Sequence, residues 1–182
     1  MRMEVHVHGN IALCKGVTRP QIESALNPWL DYLDVDSIDE AKSLEPVEPG
    51  IALDDKTRVL SMCWTGDIGR SFHRRLEEAL QALGPFTEEA SEVEVSVFHD
   101  NGEEEYRLIF VGPTPESIQQ AERNRMIEDI AALLSRRFDQ PSVEKVVTVV
   151  NELFERDWAA GGAADDFSNA QPHSRPHRKH LH

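Results

Sequence analysis

The pair His6 and His8 is where this chain first offers a chemical possibility. In Met3–His8 the residues Met3, Val5 and Val7 alternate with Glu4, His6 and His8, the pattern of a strand with one apolar face. Two imidazoles at i and i+2 of such a strand project about 6–7 Å apart on one side. Neighbouring strands that turn Cys63 and Glu94 to the same side would add a thiolate and a carboxylate. His6, His8, Cys63 and Glu94 would then make a tetrahedral zinc site. Ser61 and Ser96 fall at the same parity. A metal-binding protein or a metal-dependent hydrolase follows from that set. His-x-His is also a frequent accident, and no spacing in the chain fixes the third and fourth ligands. The plainer reading is a set of polar residues on a partly wet sheet face.

Other candidates carry their own bland alternatives. Cys63 beside His6 or His8 has the types of a nucleophile and its base, but it sits between Met62 and Trp64, and thiols in apolar strands are usually inert. Gly66–Arg70 reads as a strand-to-helix junction. Arg70, Arg74 and Arg75 follow it and would bind an anion at the helix N-terminus. Asp67 opposes that, no phosphate-loop pattern is present, and pairing with Glu77 and Glu78 accounts for the arginines equally well. Acids crowd Asp31–Asp55 (nine against the single base Lys42) and Glu88–Glu105 (eight against none), with no calcium-loop spacing. Such runs keep loops and edge strands apart, or dock a basic partner. The C-terminal end holds His173, His177, His180 and His182 among Arg175, Arg178 and Lys179, which would bind metals weakly.

The elements that must position these groups are legible from periodicity. Arg58–Thr65 is apolar at both parities, with Val59 and Cys63 on one side and Leu60, Met62 and Trp64 on the other. This is the mark of an interior strand covered on both faces. Thr18 opens a helix with Pro20 in its first turn and Gln21 placed for a capping box; its stripe runs Ile22, Ala25, Leu26, Trp29, Leu30, Leu33 across a kinking Pro28. Asp31–Asp55 reads as a solvated loop ending in a short strand, Ile51–Leu53. Asp67 or Ser71 caps a second helix with the stripe Ile68, Phe72, Leu76, Ala79, Leu80, Leu83, ended by Gly84-Pro85. Val93, Val95 and Val97 mark a strand, Asp100-Asn101-Gly102 a hairpin turn, and Glu105–Val111 the returning strand. Two helices follow, one opening at Thr114-Pro115 and one after Pro141 carrying Val143, Val146, Val147, Val150, Leu153, Phe154 and Trp158.

The order β-α-β-β-α-β-β-α-α predicts an α+β fold: a ferredoxin-like split βαβ antiparallel sheet, extended by a fifth strand beside the fourth and by two C-terminal helices. Residues 1–160 read as a single α+β domain. Residues 161–182 have almost nothing to bury and read as a disordered tail.

A net charge of −14 on 182 residues argues against nucleic acid and against anionic membranes, and favours basic partners. Met1–Leu13 has no signal-peptide apolar region and no apolar run reaches the length of a membrane span, so the expectation is a cytoplasmic protein with free thiols at Cys14 and Cys63.

The EVHVHG start, the LSMCWT strand, the LIFVGPTP turn and the closing HLH together resemble an uncharacterised family of bacterial proteins, a domain of unknown function. The resemblance covers most of the body and the extreme end, and implies no activity, ligand or catalytic residue. With no catalytic motif in hand, the sequence reads first as a non-enzymatic, acidic protein–protein interaction module with a protein partner or as a homodimer. Zinc at His6 and His8 is the alternative, and small-molecule binding in a cleft between the sheet and the last helices a third.

Overall fold

Alternation in the first strand dictates which side of the molecule becomes its core. In the computed structural model, which describes Met3–Ala159, β1 spans Met3–Ala12 and buries Val5, Val7 and Ile11 on one face. It lies at the centre of a five-stranded sheet with β2 (Gly50–Asp54), β3 (Val59–Ile68), β4 (Ser91–His99) and β5 (Glu104–Val111). The strand order is β2-β3-β1-β4-β5 and every pairing is antiparallel. The first six elements thus interleave two β-α-β units, and β5 adds beside β4 through its hairpin, as the element order predicts.

One face of the sheet is covered by α1 (Arg19–Leu33) and α2 (Phe72–Leu83), which pack against each other. The Thr18 amide donates to Gln21 Oε1 at 2.9 Å, so the capping pair foreseen for α1 forms, and the helix continues through Pro28 to Leu33. Its buried residues are Ile22, Ala25, Leu26, Trp29 and Leu30; those of α2 are Phe72, Leu76, Ala79, Leu80 and Leu83. The layers meet at an aromatic cluster. Trp64 of β3 stacks on Phe72 with centroids 5.9 Å apart, and Trp29 of α1 meets Trp64 edge to face at 5.6 Å. Gly66 makes room for this: a Cβ there would lie 2.2 Å from the Trp64 ring. Tyr32 Oη accepts the Gly69 amide at 2.7 Å, tying the β3–α2 turn to α1.

Two expectations change. β3 is an interior strand with Leu60, Met62, Trp64, Gly66 and Ile68 buried on its helix-covered side; on its second side Val59, Ser61 and Cys63 are half-buried and Thr65 alone is fully buried. On that second side the segment before β2 reaches Thr65, while the other residues there stay half-buried or exposed. β3 also runs on to Ile68, with Gly66 paired to Val5 and Asp67 to Glu4. Gly66–Ile68 is therefore strand, not junction, and Ser71 is the N-cap position of α2.

The chain divides into two compact units at Met126 and Ile127, inside α3 (Pro115–Leu134). The first holds the sheet, α1, α2 and the start of α3; in it Arg125 reaches Glu92 of β4 at 2.6 Å. The second holds the rest of α3 and α4 (Gln140–Ala159), where Val143 is buried. The residues read as a tail, 161–182, lie outside the described ones. No described helix is long and apolar enough to cross a membrane.

Candidate functional site

The sheet face opposite α1 and α2 gathers the residues singled out by type. Register pairs His6 with Thr65 on β3 and with Ser96 on β4. His8 pairs with Cys63 and with Glu94 in the same way. Residues directly opposite in an antiparallel pair share a face, so His6, His8, Cys63 and Glu94 stand on one surface. Glu4, Asp54, Asp67, Glu92 and Glu104 share it by register, and these five strands add no Lys or Arg to it.

The residue that organises this surface is Glu48, from the acidic stretch read as solvated. The segment preceding β2 folds back because β2 is short. Its ladder with β3 ends at Gly50 and Cys63, leaving the backbone of Trp64 and Thr65 without a strand partner on that side. The segment supplies one: the Leu44 amide donates to the Thr65 carbonyl at 2.9 Å, the Thr65 amide to Ser43 Oγ at 2.9 Å, and Trp64 Nε1 to the Lys42 carbonyl at 3.0 Å. Ile38 and Ala41 are buried in the core and anchor its start. Glu48 then lies against the sheet, its side chain 12% exposed. Its Oε2 accepts from Ser43 Oγ at 2.5 Å and from Thr65 Oγ1 at 2.8 Å, and its Oε1 lies 3.2 Å from His6 Nε2.

Burial pushes the Glu48 carboxyl up, but the Ser43 and Thr65 hydroxyls and then the nearby His6 and His8 outweigh it, so it sits below the usual carboxylate range. Burial, and then the Glu48 charge, raise the Cys63 thiol, the opposite of what an activated nucleophile needs. Burial and then Glu94 likewise raise the Tyr106 phenol on β5. Phe98 meets the His6 ring edge to face at 6.4 Å. The result is a held carboxylate–imidazole pair on the sheet face opposite α1 and α2. Among the described residues no group of three or more His, Cys, Asp or Glu side chains is arranged to hold a metal ion.

The arginine candidates separate. Arg75 lies 3.2 Å and Arg74 3.9 Å from Glu78 within α2, the pairing that competes with anion binding, while Arg70 is exposed in the turn before the helix. Cys14 and Cys63 are free; the Cys14 thiol donates to the Thr87 carbonyl at 3.1 Å.

A second surface lies on α4. Val146, Val149 and Leu153 are 41%, 54% and 46% exposed and recur at i, i+3 and i+7, one line along the helix. A shallow open concavity on this helix is lined by Val149, Glu152, Leu153, Glu155 and Arg156. Leu133 and Phe138, at 64% and 58%, add to the exposed apolar surface of the second unit.

Fold and surfaces together define an α+β protein with an antiparallel sheet, one face covered by α1 and α2 and the other rich in acids and histidine. Residues 3–155 match a family of unknown function, DUF6806, and the chain belongs to that family. No curated protein and no solved structure matches it.

Proposed function

We propose that this protein is a non-enzymatic module that works by associating with another protein surface, and that α4 carries the contact. The supporting observation is the exposed line Val146, Val149 and Leu153. A helix that serves only its own core keeps one apolar stripe, and α4 has two. Val143, Val147, Val150 and Phe154 form the inner, buried or half-buried one, and the exposed line adjoins it. A photo-crosslinking side chain at position 149 of the full-length protein tests this. Protein adducts, own copies included, are expected at 149 and not at the exposed control Gln119; equal yields at both positions would refute it.

The second reading is zinc, supported by the register that sets His8 opposite both Cys63 and Glu94. Elemental analysis of full-length protein against the double variant His6→Ala, His8→Ala decides it. One zinc per chain lost in the variant supports the site. Equal metal in both proteins ends it.

A further inference from the structure

We infer that the surface α4 accepts is α4 of a second copy of this chain, lying antiparallel across a two-fold axis near Val149. This deepens the association reading above and rests on it.

Three observations select a second copy. The exposed line is made of valine and leucine, self-complementary in chemistry, as a two-fold contact requires because each residue meets the same patch. Charge selects it next. Residues 1–126 hold 24 Asp and Glu against 12 Lys and Arg, whereas residues 127–156 hold six against four. The acidic surface that would draw a basic partner is thus on the sheet unit. The apolar line lies in a nearly neutral segment, where two copies meet with little local repulsion. Finally, the flanks are complementary to themselves. At about 100° per residue, Lys145 and Glu152 edge the line on the same side, one near each end. Both are exposed, and among the described residues neither has an ion-pair partner.

The order of these charges sets the direction. With the axis at Val149, Lys145 lies about 6 Å to one side, and Glu152 of an antiparallel copy lies about 4.5 Å to that same side. The two meet, and symmetry makes the contact twice. Val146 similarly meets Leu153 of the second copy. A parallel pair would instead put the two copies' Lys145–Glu152 edges on opposite flanks of the contact, where neither charge meets its opposite.

Sedimentation equilibrium of the full-length protein to about 100 μM tests both parts, because a dimer's population follows protomer concentration. Wild type is expected to dimerise and Val149→Glu to remain monomeric. Val149 is half exposed, so that variant retains the core, and unchanged circular dichroism checks this. Lys145→Glu and Glu152→Lys are each expected to weaken the dimer about fivefold, since each reverses two exposed ion pairs. The double variant, and a one-to-one mixture of the two single variants, should regain it. Single reversals without effect overturn the antiparallel order. A monomeric wild type overturns the second copy as partner. If position 149 then still crosslinks to other proteins, the association reading survives its failure; if it does not, both fall.

Discussion

Glu48 shows how one side chain can hold a segment that composition would leave in water. Its carboxylate takes two hydroxyl donors, Ser43 and Thr65, and faces His6, and so ties the segment before β2 to the exposed end of β3. Hydrogen bonds to a charged group contribute about 1.5–3 kcal/mol each, less what the group loses on leaving water. Glu48→Ala is therefore expected to destabilise the protein by about 1–3 kcal/mol in urea titrations at pH 7. The folded-state pKa lies below the ordinary value of 4.5, so the unfolded chain binds this proton more tightly. The contribution is complete above pH 4.5 and is lost as the pH falls through the folded value, so the gap between wild type and variant should close on acidification. A gap that stayed constant to pH 3 would mean that packing, not charge, holds the segment. Gly66 is the complementary case, a residue needed for what it lacks. Gly66→Ala places a methyl group 2.2 Å from the Trp64 ring and must push it off Phe72. Overpacking of this kind costs about 1–3 kcal/mol, and near-ultraviolet circular dichroism should report the lost ring order.

At the scale of elements, what could be read in the sequence followed the strength of each periodicity. Met3, Val5 and Val7, and Val93, Val95 and Val97, alternate without interruption, so their strands and the face they bury were plain. The stripes of α1 and α2 were equally clear. The end of β3 was not, because Gly66-Asp67 carries a turn's residues. Gly66 is there to admit a tryptophan ring, which only tertiary packing reveals. The segment before β2 differs from its reading for a related reason: five other acids (Asp34, Asp36, Asp39, Glu40 and Glu45) mask the few residues, Ile38, Ala41, Ser43 and Glu48, that bind it to the core and sheet. Of the candidate site, the common face of His6, His8, Cys63 and Glu94 was legible from parity, whereas Glu48 and Thr65 had no spacing to betray them. The β4–β5 hairpin was fully legible at Asp100-Asn101-Gly102. Gly102 has φ +80°, its amide donates to the His99 carbonyl at 2.9 Å, and a Cβ there would meet no atom within 4 Å. Gly102→Ala should therefore cost only the conformational strain, about 1 kcal/mol, with no change in near-ultraviolet signal. A loss as large as that of Gly66→Ala would show that the turn is packed rather than merely bent.

At the scale of the whole molecule, the excess charge is concentrated. With 24 acids against 12 bases in residues 1–126, the sheet unit repels itself, and ion pairs such as Arg58 with Glu88 at 3.7 Å and Arg75 with Glu78 at 3.2 Å are exposed. Exposed pairs contribute about 0–1 kcal/mol each, whereas like-charge repulsion sums over the entire surface. Salt weakens both, but the screening length falls from about 30 Å at 0.01 M to about 8 Å at 0.15 M, a change that removes mainly the long-range term. Pairs in contact keep most of their attraction. Raising sodium chloride across that range should therefore raise Tm, by about 1–4 °C for a chain of this size. The measurement belongs at one low protein concentration and then at a tenfold higher one, because association through α4 would add a second, concentration-dependent rise. A rise present at both concentrations reports self-repulsion within one chain. A fall with salt would mean that local ion pairs, such as Arg125 with Glu92 at 2.6 Å, outweigh the net charge.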